Sequence, residues 1–317
     1  MADPLARKIV LVVRQTRLDE LVARYNTIEQ ARFYIEHLGS DFSDYLSEHF
    51  GYQTAVARAG EILRNFGLVQ RLERRFLPNF IFGPEDTVVV LGQDGLVANT
   101  LKYLDGQRVT GVNPDPARWD GVLLPFTIDD LDRVMGEETA RKRPVKVVSM
   151  ARATLNNGQS LLAVNDLFIG KKSHVSARYL LDVGDRQEVQ SSSGIIISTG
   201  LGSTGWLKSI YSGWMATTQA LLGTKIWELM PNDTHHGAFP WESDHLHWFV
   251  REPFPSRTTA AELVIGRIDK NKCLRLVSQM PEEGVIFSDG VEVDHIEFNS
   301  GTEAIVTLAE KRGLLVV

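Results

Sequence analysis

The chain has 317 residues, 43% hydrophobic and 23% charged, and its 40 acidic against 34 basic side chains give a formal net charge of -6. That length suggests two domains, each large enough to bury a core, while the acidic excess argues against a nucleic-acid partner, which calls for a basic surplus. One cysteine, Cys273, excludes an intrachain disulfide and fits a reducing compartment. The N-terminus shows neither an apolar signal core nor an Arg/Ser-rich, acid-poor presequence. Apolar runs such as Ile195-Ile196-Ile197 fall far short of the ~20 residues that cross a bilayer. A cytoplasmic protein with no membrane association is expected.

In chain order, Lys8 to Val13 reads as a first buried parallel strand. Leu18 to Phe66 has helical character, with Ala31, Tyr34, Ile35 and Leu38 at three- and four-residue spacing. Further strands are predicted near Leu68 to Leu72, at Thr87 to Leu91 and at Arg108 to Val112. Strands alternating with helices indicate an α/β domain with a doubly wound parallel sheet over residues 1–143. In such a sheet, ligands gather at the carboxyl ends of the strands. After Pro144 the runs become short and β-rich: Val145 to Val148, Ala153 to Leu155, Ser193 to Ser198 and Glu262 to Ile268. They predict a mainly antiparallel β domain over 144–299, with 300–317 returning to the first domain. Leu207 to Leu222 fits a helix whose Trp206 to Trp214 stretch reads as core, and 231–245 reads as a surface loop.

Four segments carry chemistry. Gly92-Gln93-Asp94-Gly95 follows the third predicted strand and opens a helix-like run from Leu96, so an acid and helical N–H groups face the same place. Asn113 ends the next strand, at the same side of the sheet. Asn165 and Asp166 pair an amide with a carboxylate, a combination that grips vicinal ribose hydroxyls. Ser198, Thr199, Gly200, Leu201, Gly202, Ser203, Thr204, Gly205 and Trp206 form a loop of small residues whose glycines admit close backbone approach and whose hydroxyls offer hydrogen bonds. Asp289-Gly290 comes last. Taken singly, each has a plain structural reading as a turn, cap, connector or hairpin. His235, His236, His245 and His247 match no zinc spacing, and Lys171-Lys172 reads as a solvated turn with a phosphate contact as its alternative.

Together and in this order, the four segments resemble the NAD kinase family. That family carries Gly-Gly-Asp-Gly in its sheet domain, then Asn-Glu, a Thr-x-x-Gly-Ser-Thr loop, and Asp-Gly near the C-terminus. Gly111 to Pro116, Phe168-Ile169-Gly170, Ser192-Ser193-Gly194 and Arg251-Glu252-Pro253 look most like the branch that includes the mitochondrial NAD kinases of animals. The resemblance spans most of the chain. It implies an NAD kinase-like two-domain fold with the active site between the domains. It also implies phosphoryl transfer from ATP, with Mg2+, to the 2′-hydroxyl of the adenosine ribose of NAD, giving NADP, in a homodimer or homotetramer. By the resemblance Asp94 takes the hydroxyl proton. Gly92, Gln93, Gly95 and Asn113 belong to the phosphate or nucleotide site, and Asn165, Asp166, Ser198, Thr199, Gly202, Ser203, Thr204 and Trp206 to the NAD site. The metal ligands stay unassigned.

The sequence departs from the family at several of these positions. Gln93 stands where the family has glycine, and a positive φ there would cost ~1–2 kcal/mol. Leu96 replaces a threonine, Asp166 a glutamate, and Gly205-Trp206 an Ala-Tyr pair. Two alternatives follow. One is a kinase of the same superfamily acting on a sugar, nucleoside or lipid. The other is a non-catalytic NAD(P) sensor that has lost transfer through Gln93.

Overall fold

The computed structural model describes residues 7–223 and 238–317. The chain forms two compact units, Met1–Lys146 with Leu314–Val317, and Val147–Gly313.

In the first unit, strand β1 (Lys8–Val13) pairs in parallel with β2 (Leu68–Glu73) and with β3 (Thr87–Leu91), and β3 pairs in parallel with β4 (Arg108–Asn113). The short β5 (Phe126–Thr127) adds to β4. These strands are apolar because both faces are covered: Ile9 to Val13 and Val88 to Leu91 are all buried. The run expected to be helical from Leu18 to Phe66 is three helices, α1 (Arg17–Tyr25), α2 (Ile28–His37) and α3 (Ser43–Leu63). A capping box starts α1, with the Thr16 hydroxyl accepting from the Asp19 amide and the Asp19 carboxylate accepting from the Thr16 amide. Helix α3 lays Tyr52, Val56, Ala59 and Leu63 against β1 and β3, with α5 (Leu131–Thr139) closing the same core. Helix α4 (Asp94–Leu101) follows β3 directly.

The second unit is a sandwich. One sheet orders β10 (Gln187–Ser192), β9 (Ala177–Asp182), β14 (Leu274–Ser278) and β17 (Glu303–Val316) antiparallel, with β6 (Val145–Leu155) pairing β17 and β7 (Ser160–Ala163). The other orders β13 (Ile265–Ile268), β12 (Leu246–Val250), β11 (Ile195–Ser198), β8 (Asp166–Lys171), β15 (Gly284–Ser288) and β16 (Val291–Glu297). Alternate residues of both sheets, among them Tyr179, Leu276, Ile195, Ile197 and Trp248, share one core.

Three expectations are corrected. The runs 145–148 and 153–155 are one strand, β6, which continues unbroken through the buried Val148, Ser149, Met150 and Ala151. The return to the first unit begins at Leu314 and not at residue 300, since β17 first pairs with β14 through Glu303 to Val306 and only Leu314 and Leu315 pair with β4. Helix α6 (Trp206–Leu222) fully buries only Leu207 and packs Trp206 and Ile210 on the Phe168–Ile196–Val285 cluster, while Trp214 is 46% exposed, so the expected core stretch does not reach Trp214. His235, His236 and residues 231–237 of the expected loop lie outside the described residues.

Candidate active site

Each unit builds its own group of the expected residues. In the first, β3 ends at Leu91 and the chain turns through Gly92 and Gln93 into α4, whose first residue is Asp94. The turn is held from both sides. The Gly92 amide donates to the Val112 carbonyl at 3.3 Å, and the Tyr52 hydroxyl donates to the Leu91 carbonyl at 2.8 Å while accepting from the Arg14 amide at 2.9 Å. Asp94 is half-buried, and its Oδ1 accepts from the Leu123 amide at 2.7 Å. That bond fixes the carboxylate's direction, and Oδ2 has no hydrogen-bond partner among the described residues. The Leu96 and Val97 amides donate to the Gln93 carbonyl at 2.8 and 3.3 Å, which leaves the Asp94 and Gly95 amides at the start of α4 to add a partial positive charge beside the acid. The geometry suits an acceptor of a proton next to a phosphate.

Gln93 costs no strain, because its φ is -120° and ψ 163°, an extended conformation open to any residue. The turn is therefore made without the left-handed glycine conformation that the family pattern suggested. Gly95 is exposed, and a Cβ there would meet nothing within 4 Å. Asn113 is buried at the end of β4, and both ends of its amide serve its own loop: Nδ2 donates to the Trp119 carbonyl at 2.9 Å and Oδ1 accepts from the Asp115 amide at 3.0 Å. It lies at the carboxyl end of the sheet as expected and shapes the 114–119 turn.

The second unit gathers Asn165, Asp166 and the 198–204 loop. Ser198 pairs with Asp166 across β11 and β8. The Thr199 hydroxyl donates to the Val164 carbonyl at 2.5 Å, and its amide to the Asn165 carbonyl at 2.9 Å. Ser203 Oγ donates to the Gly200 carbonyl at 2.7 Å and accepts from the Phe239 amide at 3.1 Å. Ser198, Thr199 and Ser203 are fully buried, so these hydroxyls build the loop, whereas Thr204 is exposed. A Cβ on Gly200 would overlap the Pro240 carbonyl, and one on Gly202 the Asn165 carbonyl and the Asp166 carboxylate. The close approach the glycines permit is that of the chain's own backbone. Trp206 is half-buried and stacks on Phe168 with centroids 5.9 Å apart and planes 6° apart.

Asp166 has one buried carboxylate oxygen, Oδ1, without a partner. Burial pushes its pKa up to about 7, the nearby Asp289 charge adds to the rise, and the Ser198 hydroxyl opposes it. A half-protonated carboxyl can both accept and donate, which suits a grip on hydroxyls.

Sequence reasoning passed over three contributors. Asp289 does more than turn the β15–β16 hairpin: its carboxylate accepts from the Asn165 amide at 2.6 Å and the Val164 amide at 3.0 Å, and so sets the Asn165-Asp166 backbone. Its φ of +56° beside Gly290 at +70° is the hairpin signature that was legible; the long-range clamp was not. Arg14 follows β1 at the carboxyl end of the sheet, pairs with Glu48 at 2.8 Å, and has a buried Nε without a partner. The Leu123 amide is a backbone group and leaves no sequence signal. His245 and His247 flank Phe239, each 4.9 Å from its ring, and burial lowers the His247 pKa to about 4, with His245 and Arg267 adding to the shift. Among the described residues no group of three or more His, Cys, Asp or Glu side chains is placed to hold a metal.

No family profile matches the chain. Among curated proteins it is 28% identical to human NAD kinase 2, mitochondrial, over 250 residues, 63% of this chain and 57% of that protein. It is 29% identical to NAD kinase 2 of Geobacillus kaustophilus over 130 residues, 39% of this chain and 47% of that protein. The chain thus spans about half the length of these relatives. Its fold is that of an NAD kinase from Archaeoglobus fulgidus solved with ATP, at a TM-score of 0.57 and 14% identity over 98% of this chain and 93% of that one. The yeast NADH kinase solved with NADH aligns at 0.57 and 13% over 100% and 84%. The sequence resemblance to NAD kinases and their two-domain fold is borne out.

Proposed function

We propose that this protein is a kinase that transfers the terminal phosphoryl group of ATP to the 2′-hydroxyl of the adenosine ribose of NAD, yielding NADP. The observation that carries the reading is Asp94: a carboxylate at the first position of a helix, at the carboxyl end of a parallel sheet, aimed by the Leu123 amide. Phosphoryl transfer asks the protein mainly for positioning and charge stabilisation. Asp94 accepts the proton of the attacking hydroxyl, the α4 N–H groups stabilise phosphate oxygens, and Asn165 with Asp166 orients the ribose. Trp206 offers a ring face to the dinucleotide. The donor set fits magnesium that arrives on ATP, since such an ion keeps most of its ligands from phosphate and water. Asp94 is the residue that would hold it, and the ion would supply charge neutralisation at the phosphates. A cytoplasmic location, with Cys273 unpaired and exposed, and assembly as a homodimer or homotetramer through the exposed apolar side of α6 belong to the same reading.

The test is direct. Purified protein with ATP, magnesium and NAD is expected to form NADP, and absence of both turnover and NAD binding would sink the reading. A second reading, a lipid acceptor, draws on the exposed Trp214, Leu221 and Leu222 of α6. An acceptor screen by ADP release separates the two, because the lipid reading expects release with lipid and none with NAD. No helix among the described residues is long and apolar enough to cross a membrane.

A further inference from the structure

We propose that the first unit carries a binding site for an acidic α-amino acid, in a cavity of about 600 Å³ at the amino ends of β1, β3 and β4. Lys8, Thr87 and Arg108, the first residues of these three strands, line it together with the last turn of α5. Asp94 and Asn113 lie past the opposite, carboxyl ends of β3 and β4, so the cavity shares no lining residue with the Asp94 turn.

The lining carries both signs of charge. Lys8 stands 3.2 Å from Asp86, Arg141 3.6 Å from Glu85, and Arg108 Nε 2.9 Å from Glu138 Oε1. Arg7 is the fourth cation of the lining and has no ion-pair partner among the described residues. Four cations against three acids leave a surplus of one positive charge, which an occupant of net charge -1 answers.

The Arg108–Glu138 pair is itself incomplete. Glu138 is 9% exposed, and its Oε2 and Arg108 Nε are both buried without a hydrogen bond. Folded proteins leave few such groups, because each has given up its bonds to water. Burial raises the Glu138 pKa, and the charges of Arg108, Arg141 and Arg7 oppose the rise, so Arg7 acts on the same carboxyl. Glu138 also lies in the last turn of α5, where the helix dipole favours a cation. An ammonium suits Glu138 and a carboxylate suits Arg7, side by side, as on the α-carbon of an amino acid. The surplus charge then calls for a second carboxylate, on the side chain. A water at Oε2 would leave Arg7 unanswered, and a simple anion at Arg7 would leave Oε2 unbonded. The inference goes beyond the proposed phosphoryl transfer and requires neither Asp94 nor turnover.

Calorimetric titration of the full chain with L-glutamate tests it. Glutarate has both carboxylates without the ammonium, and L-glutamine has the ammonium without the side-chain charge. Glutamate is expected to bind at least about ten-fold more tightly than either. Arg7→Gln should weaken glutamate by about ten-fold or more. Glu138→Gln should abolish the preference for glutamate over glutarate, and circular dichroism confirms that this variant with its buried substitution is folded. Asp94→Asn should leave glutamate affinity unchanged whether or not the protein makes NADP. Absence of glutamate binding, equal affinity for glutarate, or indifference to Arg7→Gln would each overturn the site. So would weakening by Asp94→Asn, which would place glutamate at the other end of the sheet.

Discussion

The two glycine-bearing segments that look alike in the sequence, 92–95 and 199–205, are built for opposite reasons. At Gly95 the missing side chain leaves open space on the solvent side of a helix start. At Gly200 and Gly202 the missing side chains are replaced by the carbonyls of Pro240 and Asn165. The first glycine keeps room for something outside the chain, and the second pair keeps room for the chain itself. A small-residue motif at a binding site thus marks close approach without saying what approaches. The partner has to be read from the fold.

The largest expected effect falls on the packed side of that contrast. Gly200→Ala forces a methyl into a backbone carbonyl that cannot rotate away, an overpacking cost of about 3 kcal/mol or more. Thermal unfolding should shift down by about 6 °C or more, and an unchanged midpoint would show that the Pro240 contact yields. Next is Asp94→Asn, which keeps the shape and removes the base. Turnover should drop ~100-fold or more with thermal stability close to that of the parent, and an unaltered rate would take Asp94 out of the chemistry.

Asp289→Ala probes how the Asn165-Asp166 pair is held. Two amides lose a charged acceptor, a change of ~1.5–3 kcal/mol in urea unfolding. Asp289→Asn retains an acceptor oxygen and tolerates the positive φ, so it should recover part of the loss. Equal losses in both variants would mean the carboxylate's charge, and not its placement, holds the strand start.

Asp166 gives a pH-dependent version of the same comparison. Its pKa rises from 3.8 in the open chain to about 7 in the folded protein, so the folded state binds the extra proton between those values. Stability from this group is accordingly greatest at the acid end and falls as pH rises toward 7, after which the cost of the buried charge is complete. Asp166→Asn carries no charge at any pH. Its melting temperature should exceed that of the parent at pH 8, and the gap should close toward pH 4. A gap that does not vary with pH would rule out the buried charge as its cause.

Strands β1 and β3 were legible to the residue, because buried parallel strands are unbroken β-branched runs with sharp ends. The order of the site segments was legible too. What escaped was whatever depended on residues far apart in the chain. Asp289 reads as a turn until β15 is placed beside β8, and Trp214 reads as core until α6 is seen to bury fully only Leu207. Gln93 looked like a strained substitution because the family pattern has glycine there. The turn itself is extended at that residue, so local chemistry permits the side chain.

The smallest structural effect is expected on the open side of the contrast, at Gly95. Alanine meets no atom within 4 Å there, and the position lies in the first turn of α4. Helix propensity favours alanine over glycine by up to about 1 kcal/mol, so the folded protein should be unharmed or slightly stabilised. If the N–H groups of this turn hold phosphate, the added methyl stands in the path of the ligand. The KM for ATP should then rise about ten-fold, by loss of an approach of backbone to anion that no side chain can restore. Gly95→Ala with native stability and a raised KM, set against Gly200→Ala with lowered stability, would separate the two uses of glycine. An unchanged KM would leave the space beside Gly95 as plain solvent and move the phosphate contact elsewhere on the turn.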